Sequence, residues 1–412
     1  MKYGCIGEHL GHSFSKEIHK KIADYEYDLF EIAKNDLYNF MIKRHFLAIN
    51  VTIPYKEEVI KYLDFIDETA KMIGAVNTIV NKNGKLYGYN TDFSGMSALS
   101  DKIGIDMKDK KVLILGTGGT SKTAYAVATA KGAKTILKVS RSSKDGVITY
   151  DDAIKIHNDA NIIINTTPSG MFPNNDTCPI DIDNFPQLEG VIDAVYNPLR
   201  TKLIQKALSK GIKAEGGLYM LVAQAVFASE WFLDKKYSLD TIDKIYNEIL
   251  SKKQNIVLTG MPSCGKSTVG KILSEITSKE FLDTDKMVVD SYGIEIPKIF
   301  EKYGEKAFRD AETKAIKIAG KQNGVIIATG GGAILRKENI DALKSNGKIY
   351  FIDRPLEKLI PTEDRPLSKD VLAIKKRYDE RYDIYCSTAD VKIDADTTPQ
   401  NVAMLIKGGH GI

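Results

Sequence analysis

Gly260-Met261-Pro262-Ser263-Cys264-Gly265-Lys266-Ser267 fits G-x-x-x-x-G-K-[ST] without a mismatch, directly after the apolar run from Asn255 to Thr259. Strand, glycine-bearing loop and helix start follow in the order a phosphate cradle needs. Backbone N–H groups and the helix N-terminus face the anion, Lys266 reaches the outer phosphates, and Ser267 offers a hydroxyl to Mg²⁺. The spacing predicts an ATP site built from Gly260, Gly265, Lys266, Ser267 and Thr268. Phe281-Leu282-Asp283-Thr284-Asp285 ends a strand with two carboxylates at i and i+2. Asp283 can reach the metal through water and Asp285 can accept from substrate hydroxyls, although an acidic helix cap explains the pair equally well.

Other groups of chemical type stand at the ends of apolar runs nearer the N-terminus. Ser13 and Ser15 lie on a strand-to-helix loop and could hold a small carboxylate; on spacing alone they read as ordinary loop and N-cap serines. Lys56 follows the strand running into Pro54, Asn77 sits in the strand-like run from Gly74 to Val80, and Asp92 ends the run from Leu86. Strand ends of this kind converge at one edge of an α/β sheet, where pockets form.

The elements that must position these groups read as an α/β chain. Lys111 to Leu115 is a buried-type strand leading into Gly116-Thr117-Gly118-Gly119-Thr120-Ser121 and a small-residue helix, a dinucleotide-type turn with Ser121 in the place of the last glycine. The next strand ends in Ser140-Arg141-Ser142 and carries no acidic residue for ribose hydroxyls, which favours a 2′-phosphate and hence NADP over NAD. Two further apolar strands with polar C-terminal ends are expected in the runs Ile162–Met171 and Val191–Leu199. A helix opening at Gly216-Gly217 is expected to contain Gln224.

The chain has 412 residues, 43% hydrophobic and 27% charged, enough for two or three cores. Its net charge of +4 divides evenly, 26 basic against 23 acidic residues from Lys253 onward and 32 against 31 before it, so neither half has the basic excess of a nucleic-acid or membrane-surface protein. Four dispersed cysteines suggest neither a disulfide framework nor a zinc site, and no apolar run is long enough to span a bilayer. A cytoplasmic location is expected. Whether the chain pairs as a homodimer is left open. Leu250 to Gln254 reads as a joint, and Gly408-Gly409-His410-Gly411 as a frayed tail.

Four motifs, His12-Ser13-x-Ser15, Asn50-Val51-Thr52-x-Pro54-x-Lys56, Gly74-Ala75-Val76-Asn77-Thr78 and Gly88-x-Asn90-Thr91-Asp92, together resemble the substrate domain of shikimate dehydrogenase. The resemblance covers residues 1–250. It implies that Ser13 and Ser15 bind the substrate carboxylate, that Asn77 and Asp92, with Thr52 and Gln224, face the ring, and that Lys56 with Asp92 forms the acid–base couple. His9 and Lys16 stand where that family usually has proline, a difference in loop stiffness. From residue 253 onward, Asp285, Phe308-Arg309-Asp310-Ala311-Glu312, Thr329-Gly330-Gly331-Gly332, Arg365-Pro366-Leu367 and Arg381-x-x-x-Tyr385 resemble shikimate kinase. Here the resemblance implies that Arg309 and Arg381 pair with the shikimate carboxylate and that Asp285 binds its hydroxyls. It also implies that the Gly330, Gly331 and Gly332 backbone lies against the ring and that Arg365 closes from a lid onto the phosphates. The acidic Glu363-Asp364 before Arg365 departs from the more basic lids usual there.

The expected architecture is a substrate α/β domain (1–100 and 216–250), a Rossmann-like NADP domain (101–215) and a P-loop kinase domain (253–412) of nucleoside-monophosphate-kinase type. The expected chemistry is NADPH-dependent reduction of 3-dehydroshikimate to shikimate, then phosphorylation of shikimate by Mg·ATP. Which of Lys56 and Asp92 donates the proton stays open. So do two alternatives: a first half that accepts quinate, and a shikimate and nucleotide sensor without turnover, against which the presence of Lys56, Asp92, Lys266 and Asp285 argues.

Overall fold

The structure is a computed structural model and describes residues 2–10, 14–144, 146–360 and 370–412. Its backbone is α/β throughout and divides into two compact units, Met1–Tyr246 and Asn247–Ile412. Among the described residues no helix is long and apolar enough to cross a membrane.

The first unit contains two sheets. Strands β1 (Tyr3–Gly7), β2 (Tyr27–Glu31), β3 (Ala48–Val51), β4 (Phe65–Ile66), β5 (Thr78–Lys82) and β6 (Lys85–Tyr89) form a mixed sheet in the order 2-1-3-5-6-4, with β5 antiparallel to both β3 and β6. Strands β7 (Lys111–Leu115), β8 (Thr135–Ser140), β9 (Val147–Thr149), β10 (Ile162–Asn165), β11 (Gly190–Asp193) and β12 (Lys213–Glu215) form an all-parallel sheet in the order 12-11-10-7-8-9. Its central strands are continuous apolar runs because helices cover both faces, and Val112, Ile163 and Val191 are fully buried there. The chain passes between the sheets by two helices, Thr91–Lys102 and Leu218–Leu233. These lie so close at Gly95 that a Cβ there would stand 2.7 Å from the Met220 carbonyl oxygen.

The second unit has one parallel sheet, β13 (Asn255–Thr259), β14 (Phe281–Asp283), β15 (Ile326–Ala328), β16 (Gly347–Asp353) and β17 (Val391–Asp394), in the order 14-15-13-16-17. With β13 central, the phosphate loop leaves the middle of the sheet at its carboxyl edge, between the ends of β15 and β16.

Several expectations change in detail. The run from Gly74 is a strand only from Thr78, since Gly74 ends the helix Glu68–Ile73 in a left-handed conformation. Asp92 is not at a strand end. Strand β6 stops at Tyr89, Asn90 caps the helix Thr91–Lys102 by accepting from the Phe93 N–H, and Asp92 lies in its first turn. Lys56 stands on a turn between the end of β3 and a 3₁₀ segment, Glu58–Tyr62. The residues around Leu250 are not a loop, because the helix Leu239–Lys253 runs through them and contains the boundary between the units. Nor is the C-terminus frayed: Pro399–His410 is a helix with Val402, Ala403, Ile406 and His410 buried.

Candidate functional site

The Lys56 ammonium and the Asp92 carboxylate meet at 2.6 Å, with side chains 23% and 15% exposed. Asp92 lies in the first turn of the helix that starts at Thr91, beside its N-terminal N–H groups. Asn77 holds this helix start from the neighbouring strand end, its Oδ1 accepting from the Thr91 N–H at 2.7 Å, while the Lys56 carbonyl accepts from the Val76 N–H at 2.8 Å. One hydrogen-bonded knot therefore joins Lys56, Asn77 and Asp92. Thr52 is tied to the same turn, its carbonyl accepting from the Tyr55 N–H. Cys5 sits beside this pair as a neutral thiol, pushed up to about 12 by burial against the pull of the Lys56 ammonium.

Gln224 is buried on the Leu218–Leu233 helix, next to Gly95, and its amide donates to the Leu221 carbonyl of its own helix. Ser15 is the first residue of the helix Ser15–Ile22. Ser13 lies outside the described residues.

At the second sheet's carboxyl edge, Gly116 follows β7 with φ +106°, and Gly118 and Gly119 start the helix Gly119–Ala130. A Cβ on Gly118 or Gly119 would meet no atom within 4 Å, so both backbones stand open to a ligand. Ser121 explains the missing third glycine: it is fully buried, and its hydroxyl donates to the Gly118 carbonyl at 2.6 Å, tightening the turn itself. Arg141 is exposed after β8, in a turn closed by the Ser140 hydroxyl donating to the Ser142 carbonyl at 2.6 Å. This cradle and its cation fit a dinucleotide carrying a 2′-phosphate.

In the second unit the phosphate loop bounds a cavity of about 990 Å³. Gly265 takes φ +99°, a conformation closed to most side chains, directly before the helix Lys266–Thr277. The buried Lys266 ammonium donates to the Gly260 and Met261 carbonyls, each at 2.9 Å. The Ser267 hydroxyl donates to Asp283 at 2.8 Å; Asp283 also caps the next helix by accepting from the Asp285 and Lys286 N–H groups. Ser267 and Asp283 are thus adjacent oxygen donors beside the loop, a set that fits Mg²⁺ when phosphate oxygens complete it. Thr268 follows on the same helix, exposed.

Across the cavity, Arg309 lies over the glycine run: a Cβ on Gly332 would come within 2.2 Å of its Nη1. A Cβ on Gly330 would come within 2.5 Å of both Asp285 Oδ1 and Glu312 Oε1. Arg381 donates to the Gly331 carbonyl at 3.0 Å. Two guanidinium groups and the Asp285 carboxylate thus converge on three glycines, an arrangement suited to a small hydroxylated acid. Arg365 lies outside the described residues.

Two residues quoted only as parts of motifs have roles of their own. Glu312 is almost fully buried and accepts from Arg309 at 2.8 Å; burial pushes its carboxyl up while Arg309 and Arg381 hold it down. Its three-residue spacing from Arg309 puts both on one helix face, the signal that could have found it. Tyr385, four residues after Arg381, shares its one hydroxyl proton between the Gly260 carbonyl at 2.9 Å and that of Gly331 at 2.5 Å, bringing the phosphate loop and the glycine run together.

Comparison with known proteins finds a different family in each part of the chain. The profile of the shikimate dehydrogenase substrate binding domain matches residues 5–79, and that of shikimate kinase matches residues 262–407. A shikimate dehydrogenase (NADP(+)) of Clostridium perfringens (strain SM101 / Type A) is 38% identical over 265 residues, covering 60% of this chain and 97% of that protein. Among solved structures, a chorismate mutase/shikimate 5-dehydrogenase fusion protein from Clostridium acetobutylicum is similar at 35% identity and a TM-score of 0.57, covering 60% of this chain and 96% of its own. Shikimate dehydrogenase 1 from Peptoclostridium difficile is similar at 38% identity and a TM-score of 0.55, covering 60% and 98%.

Proposed function

The chain belongs to the shikimate dehydrogenase family and carries a shikimate kinase domain, and from this premise we propose that it catalyses two consecutive steps, reduction of 3-dehydroshikimate and 3-phosphorylation of the shikimate formed. The observation that carries the reading is the presence in one chain of the 2.6 Å Lys56–Asp92 pair and of a phosphate loop faced by Arg309, Arg381 and Asp285. We assign residues 1–100 and 216–250 to the dehydrogenase substrate domain, 101–215 to the NADP domain and 253–412 to the kinase.

In the first step Ser13 and Ser15 hold the substrate carboxylate, and Thr52, Asn77 and Gln224 hold the ring hydroxyls. NADPH, seated on Gly116, Gly118 and Gly119 with its 2′-phosphate against Ser140, Arg141 and Ser142, supplies the hydride. The Lys56–Asp92 couple hands a proton to the carbonyl oxygen as it becomes an alkoxide, and the hydrogen bond between the two lets either refill the other.

In the second step Arg309 and Arg381 bind the shikimate carboxylate in bidentate fashion, and Asp285 orients the 3-hydroxyl and takes its proton as the oxygen attacks. Mg·ATP supplies the phosphoryl group. Such transfers depend on positioning and charge neutralisation, here by Lys266, with Ser267 and Asp283 at the metal and Arg365 from the lid. Lys266 turns from the loop carbonyls it now meets to the phosphates.

Paired assays on the whole chain test the reading. Lys56→Ala should lower shikimate-dependent NADP⁺ reduction at least ~100-fold and leave ATP-dependent phosphorylation intact, and Lys266→Ala should do the reverse. Absence of either activity from the unmutated chain would overturn the two-step assignment.

A further inference from the structure

Asp193 ends β11 fully buried, and the chemistry above makes no use of it. Its Oδ1 accepts from the Asn165 side-chain amide at 2.9 Å and from the Val195 N–H at 3.0 Å, and its Oδ2 accepts from the Thr201 hydroxyl at 2.6 Å. Burial pushes this carboxyl up to about 6 even against those three hydrogen bonds. A carboxylate so placed is costly to hold in the core, and an apolar residue of similar size would pack there with less penalty. Its use must lie in what its three donors position.

Each donor leads to a different part of the dehydrogenase site. Asn165 Oδ1 accepts from the Thr167 N–H at 3.0 Å and the Thr167 hydroxyl at 2.7 Å, and the Thr167 methyl is 3.0 Å from where a Cβ on Gly116 would stand. That stretch walls the cofactor turn. Val195 accepts at its carbonyl from the Gly217 N–H at 2.9 Å, and Gly217 caps the helix that contains Gln224. The fit there is tight, since a Cβ on Gly217 would come within 2.2 Å of the Ala194 oxygen. The next residue, Tyr196, sets its ring 5.4 Å from that of Phe14, which directly precedes Ser15. Thr201 closes the segment by capping the helix Lys202–Ser209.

We propose that Asp193 is a positioning residue of the dehydrogenase: one buried carboxylate fixes the 194–201 segment against both the cofactor turn and the start of the substrate-carboxylate helix, so that the two binding sites are set together. The inference rests on the dehydrogenase reading above. Loosening the segment should weaken the dinucleotide and the small acid in parallel.

The test is steady-state kinetics of NADP⁺ reduction by the full chain. Asp193→Leu removes both acceptor oxygens, and with them all three hydrogen bonds, in a side chain of the same branching, and should raise KM for shikimate and for NADP⁺ together, each about tenfold. Thr201→Val removes one donor and should move both in the same direction by about threefold, while Thr201→Ser restores both. If Asp193→Leu does not fold, the Thr201 pair decides alone. A merely structural role would reduce the folded fraction and hence kcat, with KM unchanged. Unaltered KM values, or a rise in only one of them, would overturn the proposal. A chain without any shikimate-dependent NADP⁺ reduction instead overturns the dehydrogenase reading.

Discussion

At the scale of single residues, the kinase site turns on how closely Arg309 approaches the glycine run. Gly332 has φ −103°, open to any residue, so what excludes a side chain there is the guanidinium itself. Because the obstructing atoms are the tip of a flexible side chain, Gly332→Ala should cost the fold little and displace Arg309 from the acid. The expected outcome is a KM for shikimate raised about tenfold or more, with KM for ATP and the melting temperature nearly unchanged, measurable by coupled assay and calorimetry. Equal loss of both affinities would show that Gly332 serves the phosphate loop instead. The same scale shows what was legible in the sequence. The loop that carries Lys266 and Ser267 was legible because it is a contiguous pattern, whereas Asp283, 16 residues later, reads from sequence as helix cap as readily as metal ligand. The burial of Glu312 was not, since the pairing of a carboxylate with Arg309 looks on paper like a surface ion pair and only the cavity wall distinguishes the two. Asp193 was hidden for a similar reason: its three partners come from 165, 195 and 201, and no spacing rule joins them.

At the scale of elements, the C-terminal helix Pro399–His410 is the instructive difference. Gly408 and Gly409 suggested fraying, yet Thr398 caps the helix, Pro399 suits its first turn, and Val402, Ala403 and Ile406 bury a helical stripe. Tertiary burial outweighs the two glycines. The last helical residue, His410, lies buried between the Tyr350 hydroxyl and the Gln254 carbonyl, each at 3.2 Å. Burial, with the Lys279 and Lys348 ammonium groups facing it, pulls its pKa down to about 4 from 6.5. The folded state therefore refuses a proton that the unfolded chain accepts. Stability from this group is fully present well above pH 6.5 and is lost as the pH falls toward 4, by on the order of 3 kcal/mol. Urea midpoints of kinase activity should accordingly drop between pH 6.5 and 4.5, and His410→Gln should flatten that slope. Kinase activity is the proper readout because the single tryptophan, Trp231, lies in the other unit. An unchanged slope in the variant would locate the acid sensitivity elsewhere.

At the scale of the whole molecule, a phosphate loop must follow a strand, and the strand Asn255–Thr259 ahead of it lies near the start of the second unit, Asn247–Ile412. What composition did not reveal is that the joint is helical. Leu239–Lys253 runs unbroken, and its two ends belong to different units. Its first half is tied to the dehydrogenase through Asp243, which accepts from Lys102 at 2.8 Å and from the Tyr219 hydroxyl at 3.0 Å. Its last turn is tied to the kinase by Lys279, whose ammonium meets the Ser251 and Lys252 carbonyls at 2.9 Å and that of Gln254 at 3.3 Å. A helix end leaves its last carbonyls without intrahelical partners, and a cation there meets that need. The choice of cut therefore matters. A kinase fragment of residues 247–412 keeps all three acceptors, whereas 253–412 loses two of them and leaves a half-buried ammonium short of partners. The longer fragment should be the more stable by about 1–3 kcal/mol in urea titrations, with equal kcat where both are folded. Residues 1–246 should in turn retain NADP⁺ reduction, because Asp243 and Tyr246 stay with the helices they contact. Equal stability of the two kinase fragments would show that Lys279 finds water as good a partner as the helix end, and the last turn would then be linker in energetic terms whatever its conformation.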